Sequence, residues 1–309
     1  MNDKYPWLAE PFEKIRNDVD MGRLAHAFLV TAPVGAGATE FAYKTAKYRL
    51  CQSPGADACG ECKACQLLAA GSHPDLRVLQ PEGAAQSIRV DQIRSLIDFV
   101  AQTPQIGDWK LVVIDLAHRM NQNAANALLK ILEEPAGNCV ILLATERPQM
   151  LLPTVRSRCS RIRIKPPSVS QAVAFLIGQG MDTAEAEYLV GQIGPRPLQI
   201  QGWVKQEILP QWKTSMEKLQ SLDTGTVSPL AVANELASID ISLLLTWVMQ
   251  FVAGRSRLLA FQDESRSQAY LELYERLKDC RKELDAGTNP NPQLALESLF
   301  LEWPSAVRS

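Results

Sequence analysis

The stretch FLVTAPVGAGATEFAYKTAK, Phe28 to Lys47, decides how the chain is read. It has the order of a phosphate-binding loop: an apolar strand, a tight turn carrying Gly35 and Gly37, and the first turns of a helix. The P-loop pattern G-x-x-x-x-G-K-[ST] places a lysine after its second glycine, where it reaches the outer phosphates, and then a hydroxyl that holds magnesium. Here Gly37 is followed by Ala38 and Thr39, so the turn and the hydroxyl persist while the cation is gone. A charge-assisted hydrogen bond contributes roughly 1.5 to 3 kcal/mol, so this loss alone weakens nucleotide binding by about ten- to a hundredfold. Glu40 adds a carboxylate in the first helical turn, which complements the helix dipole and repels a polyphosphate.

The surrounding chain is large enough to carry such a loop on a full nucleotide-binding fold. Its 309 residues suit two or three domains, and 46% hydrophobic with 21% charged residues excludes a disordered or fibrous chain. With 32 basic against 34 acidic residues no positive field covers the whole molecule, so any DNA contact must be local or come through partners. The opening MNDKYPWLAEPFEKIRNDVD carries early acids and no apolar run, which does not read as a signal peptide. No stretch of 18 uninterrupted apolar residues offers a membrane span, and a reducing, cytoplasmic location is expected.

Between Ala27 and Lys165 short β-branched runs alternate with helical periodicity. Strands are expected at AFLVT (27–31), LRVLQ (76–80), KLVVID (110–115), CVILLAT (139–145) and RIRIK (161–165). Helices are expected over 39–50, with Phe41, Ala42, Thr45 and Ala46 inward, over about 91–102, and over 121–135. The last has Asn121 as cap, Ala124, Leu128, Ile131 and Leu132 as its apolar stripe, and Pro135 as its stop. Alternation of this kind predicts a parallel α/β sheet, and the uninterrupted apolar runs predict strands covered on both faces. KPPS (165–168) reads as a hinge. A helical unit of about forty residues follows, punctuated by GQGMDT and IGPRP, and from about Glu207 helical patterns dominate to the end.

Four cysteines, Cys51, Cys59, Cys62 and Cys65, lie in CQSPGADACGECKAC. This spacing supplies four soft ligands on tight turns, which suits tetrahedral zinc, and four thiolates leave no open position for water, so the site would be structural. Unpaired thiols or disulfides are the alternatives. His73 in SHPDL is an alternative ligand or a structural histidine, and Cys139, Cys159 and Cys280 read as packing residues. Asp115 ends KLVVID where such nucleotidases bind magnesium, but Leu116 stands where many carry the glutamate that activates water. In LLPTVRSRCSRIRIK (151–165), Arg156 and Arg158 precede the final strand. An arginine so placed can enter a neighbouring subunit's nucleotide site, an effect of roughly 10³ to 10⁵ in rate, or can simply pair with surface acids. Arg161, Arg163 and Lys165 alternate on one strand face, as a solvated or edge-protecting face would.

Taken together, APVGAGAT, the four-cysteine insertion, HPDL, VVIDLAHRMNQNAANALLKILEEP and LLPTVRSRC closely resemble the δ′ family of bacterial DNA polymerase III clamp-loader subunits, continuously from Tyr5 through Cys159. The resemblance implies an AAA+ module, made of an α/β domain (1–165) and a small helical lid (166–206), and then a helical collar (207–309) for oligomerisation. It implies a five-subunit arc with δ and three γ/τ motor subunits that places the sliding clamp on primed DNA. It makes Arg158, in the Ser157-Arg158-Cys159 motif, the finger given in trans to a motor subunit. The departures at Ala38 and Leu116 are those expected of a non-hydrolysing member, with Gly35, Gly37, Ala38, Thr39 and Asp115 as vestiges. Arg196 in GPRP lies near the position of a nucleotide-contacting lid arginine but receives no role. The rival reading is a catalytically active γ/τ-like ATPase, which would need another cation and another activator of water. A DNA-binding zinc module is a second rival, and the single lysine and single glutamate of CGECKAC give it a poor footprint for phosphate contacts.

Overall fold

A computed structural model of the chain describes residues 4–83, 86–135, 137–285 and 291–304. The chain divides into two compact units, residues 1–201 and 202–309. In the first, the elements run α1 (Ala9–Asp20), β1 (Ala27–Thr31), α2 (Ala38–Leu50), α3 (Lys63–Ala69), β2 (Leu76–Leu79), α4 (Val90–Ala101), β3 (Lys110–Ile114) and α5 (Gln122–Glu133). They continue with β4 (Cys139–Thr145), α6 (Pro153–Ser157), β5 (Ser160–Arg163), α7 (Val169–Gly178) and α8 (Thr183–Ile193). Helix α9 (Pro197–Lys205) carries the chain into the second unit.

The strands form one parallel sheet in the order β2-β3-β4-β1-β5. Every residue of β3 and β4 is buried, as the uninterrupted apolar runs require of strands covered on both faces. Alternation then sorts the side chains. Leu29, Val112, Ile114, Ile141 and Leu143 join one core with Leu96 of α4, Leu128 of α5 and Val155 of α6. The alternate residues face α2, which packs across β1, β3 and β4 and buries Phe41, Ala42, Thr45 and Ala46. The sequence of strands, with a glycine turn and helix directly after β1, is the AAA+ arrangement that the resemblance implied.

Helix α5 starts where its cap residue predicts: the Asn121 side chain accepts from the Ala124 N–H at 2.8 Å. The HPDL turn is structural. Asp75 is fully buried, accepts from the Gln105 and Ile106 N–H groups at 2.8 and 2.6 Å, and faces the buried Lys110 ammonium at 3.7 Å. Lys110 in turn lies over the Phe99 ring. A buried charge needs such partners, and this pair ties the start of β2 to the start of β3.

Three helices lie outside the elements expected from sequence. Helix α1 buries only Phe12 and Ile15 and packs on α2, with Phe12 meeting Phe41 and Tyr48 edge-on. Helices α3 and α6 are short, and α6 carries the arginine-bearing stretch after Leu151, opened by Pro153 at its first turn.

The second unit is helical: α10 (Leu209–Asp223), α11 (Pro229–Leu236), α12 (Ile241–Leu259), α13 (Glu264–Asp285) and α14 (Pro292–Leu301). Trp203, Trp212 and Trp247 meet in its core, and α12 packs along α13. Asp223, buried at the end of α10, is held by Arg255 at 2.6 Å, Arg266 at 3.1 Å and the Tyr270 hydroxyl. Among the described residues no helix is long and apolar enough to cross a membrane.

Candidate functional site

The loop after β1 forms the turn its glycines allow. Gly35 and Gly37 have φ of +73° and +96°, the left-handed region that favours glycine, and Gly37 opens α2. Ala32 stands at the first glycine of the P-loop pattern, a further departure. The Trp7 indole N–H fixes the turn by donating to the Ala36 carbonyl at 2.8 Å. Thr39 is directed at Asp115, its hydroxyl donating to the carboxylate at 2.5 Å, and Gln80 donates to the other oxygen at 3.4 Å. The residues expected to form the loop and the acidic strand end are therefore brought together.

Two features of this site lie beyond what the sequence reading reached. The Gly35 N–H, a backbone donor of the loop, is taken by the Glu146 carboxylate at 2.9 Å. The first turn of α9 also sits on the loop: the Leu198 N–H donates to the Gly35 carbonyl at 3.3 Å. A Cβ built at Gly35 would lie 2.9 Å from both Gln199 N and Gln199 Cβ, and 3.1 Å from Arg196 Cβ. Arg196 thus borders the loop. Glu146 follows the last residue of β4, at the carboxyl end of the sheet where α/β folds place ligands, and that position is the signal that could have found it.

The electrostatics run against an anion. Burial, reinforced by Asp115, raises the Glu40 carboxyl above its ordinary range. Burial also raises Glu146, with Glu40 and Asp115 adding to the rise and the Gly35 N–H opposing it. Three carboxylates therefore ring a loop that has lost its lysine, and the Asp115 carboxylate disfavours charge on Glu40 and Glu146.

Arg158 closes α6 at its C-terminal end. Its guanidinium pairs with Glu133, the last residue of α5, at 2.5 Å, and donates to the Thr154 carbonyl at 3.0 Å. In the isolated chain it does find a surface acid, but the side chains remain 36% and 50% exposed, so the pair is weak and open to exchange. Arg156, two residues earlier, makes no such pair among the described residues.

The four expected cysteines converge. Their Sγ atoms all lie within 4.8 Å of one another, with Cys51 to Cys62 at 4.0 Å and Cys59 to Cys65 at 3.9 Å. Four ligands at about 2.3 Å from a tetrahedral ion stand about 3.8 Å apart, so the cluster has the dimensions to hold a metal ion. Backbone N–H groups of Cys59, Cys62 and Cys65 point at the sulfurs of Cys51, Cys59 and Cys62, as they do where turns hold thiolates. Such donors, chiefly the Cys65 and Gln52 N–H groups, lower the Cys62 thiol to about 6. His73 stays outside the cluster: its Nδ1 accepts from the Asp75 N–H at 3.1 Å, and burial lowers its pKa, keeping the ring neutral. Cys139 and Cys159 are buried in the main core, as packing residues are.

Comparison with known proteins agrees with this geometry. The family described as DNA polymerase III, delta subunit, matches residues 8–168. DNA polymerase III subunit delta′ of Pseudomonas aeruginosa is 37% identical over 99% of this chain and 98% of its own length. The subunit delta′ of Escherichia coli is 40% identical over 56% of this chain and 52% of its own. The fold is similar to the crystal structure of a DNA polymerase III gamma subunit-related protein from Thermotoga maritima, with a TM-score of 0.55 at 20% identity, over 95% of this chain and 99% of that one. From the acidic, lysine-free loop to the cysteine module, the chain carries these features on a sequence shared end to end with a delta′ relative, and it belongs to the family of DNA polymerase III delta′ subunits.

Proposed function

We propose that the chain is the non-hydrolysing δ′ subunit of a DNA polymerase III clamp loader, and that it acts by presenting Arg158 to the nucleotide site of an adjacent γ/τ motor subunit. The observation that carries this reading is the state of the chain's own loop. The Gly35 N–H that would meet a phosphate is engaged by Glu146, α9 rests on the same glycine, and Ala38 replaces the lysine. A nucleotide would have to displace a carboxylate and a helix end with no cation to reward it. Leu116 stands at the position after Asp115 where the water-activating acid is expected, so the γ/τ-like ATPase reading lacks both of its groups at their usual positions. Arg158 by contrast is at the surface, at a helix end, held by an exposed ion pair and one bond to the Thr154 carbonyl. A guanidinium in that position can stabilise charge on a transferring phosphoryl group that another chain binds.

The remaining parts take supporting roles. Zinc is the metal we assign to Cys51, Cys59, Cys62 and Cys65, because an all-thiolate tetrahedral set suits it and leaves the ion coordinatively closed. Its chemistry is then structural, fixing residues 51–65 after α2 in a reducing cytoplasm. We divide the chain into an α/β domain (1–165), a helical lid (166–206) and a collar (207–309). In the collar, Phe261 is 99% exposed and Leu258 63% exposed, an excess of bare apolar surface that oligomerisation would cover. The partners are δ and three γ/τ subunits in a pentamer, the sliding clamp, and primer–template DNA reached mainly through the assembly.

Mixing the purified chain with γ/τ and δ subunits tests this directly. The expected result is a stoichiometric pentamer by native mass spectrometry whose clamp loading requires this chain. Full loading by γ/τ and δ without it would overturn the assignment.

A further inference from the structure

Strand β5 is an edge of the sheet, and its register sets Arg161 beside Leu29 and Arg163 beside Thr31 of β1. The side chains of these residues open into one cavity of about 430 Å³, which Arg156 of α6 also lines, together with Pro33, Glu146 and Pro148. Three arginines therefore line one recess. Among the described residues none of them has a hydrogen bond or ion pair from its side chain, and Arg156 Nε is buried with no acceptor at all. Edge protection accounts for exposed Arg161 and Arg163. It does not account for Arg156, since a buried donor left without an acceptor is costly to the fold. An anion seated in the recess would supply the acceptor that this donor lacks.

We propose that this recess binds an oxyanion of the phosphate class, carrying one or two phosphoryl groups. Charge selects that class over a single carboxylate. Three guanidinium groups face one protein carboxylate, Glu146, which already accepts from the Gly35 N–H. A phosphate dianion or a diphosphate balances the surplus, whereas a carboxylate leaves at least one positive charge uncompensated. The planar forks of arginine match phosphate oxygens bidentately, and Leu29, Pro33, Pro148 and Ile164 supply apolar walls that strengthen those bonds by excluding water. The volume falls within the range of roughly 300 to 1,000 Å³ typical of small-molecule sites, ample for a diphosphate. Glu146 is shared between the two features: it accepts from the Gly35 N–H and also lines the recess.

Titration of the full chain with sodium diphosphate, without magnesium and at fixed ionic strength, tests the site by calorimetry. Saturable one-to-one binding is expected, and Arg161→Gln or Arg163→Gln should weaken it by about ten- to a hundredfold, the loss of one charge-assisted contact. Both residues are exposed, so an unchanged melting temperature shows that folding is intact. No saturable heat at millimolar diphosphate would overturn the proposal. So would binding that neither variant weakens, since the anion would then be held elsewhere. Equal affinity for acetate at the same ionic strength would overturn the assignment to phosphate.

Discussion

Replacing Arg158 with alanine is expected to lower the DNA-stimulated ATPase of the reconstituted assembly, by roughly 10³-fold or more at the single motor site that the chain faces. The total rate would fall less, since in the proposed assembly this chain serves only one motor site. Folding should be untouched. The only ion pair lost is the exposed one to Glu133, and pairs of that kind contribute less than about 1 kcal/mol. Pentamer formation should also persist, which separates loss of a catalytic group from loss of a docking contact. Glu133→Gln is the informative partner variant. It removes the same ion pair while leaving the guanidinium, so it should keep the ATPase that Arg158→Ala loses. Single-turnover hydrolysis in assemblies with one active motor site measures the effect where it is largest, and an unchanged rate there would refute the finger role.

The second large effect concerns the cysteine module. Metal analysis of protein purified after metal-replete expression should return one zinc per chain, and Cys62→Ser should lose it. Removing a ligand must cost more than the roughly 10- to 100-fold in affinity that loss of an outer partner brings. Structural zinc contributes about 10 to 16 kcal/mol to the folding of small zinc domains, so the segment from Cys51 to Ala69 should lose its order with the metal. The parallel sheet should survive, because its core of Leu29, Val112, Ile141 and Leu128 contains none of the four ligands. Hydrogen exchange with and without a chelator resolves the two regions: rapid exchange confined to residues 51–69 is expected. Less than one equivalent of zinc, or exchange unaltered by chelation, would show that the thiols do not hold a structural ion.

What was legible in the sequence follows the range of the forces involved. Strand β4 was readable end to end because burial on both faces demands an unbroken apolar run, and α5 because its cap and stripe are local signals. The cysteine cluster was legible because ligand spacing within a few turns fixes the geometry. RIRIK read as an edge or solvated face, and β5 is an edge strand. Helix α1 was not legible as a core element, since its amphipathic stripe buries only Phe12 and Ile15. Nor was the closure of the loop, because Glu146 and α9 reach Gly35 from more than a hundred residues away, and no local pattern encodes that contact. The missing lysine said that the loop had lost its grip on phosphate; only the fold shows which protein groups meet its backbone instead.

The central claim is that this chain contributes to nucleotide hydrolysis without a nucleotide of its own. Calorimetric titration of the purified, isolated chain with Mg-ATP tests it most directly. The account predicts no detectable binding at high micromolar nucleotide, because Glu146 and α9 occupy the loop and Ala38 offers no charge. Saturable binding at low micromolar ATP, abolished by substitution at Thr39, would contradict it and restore the reading of an active motor subunit.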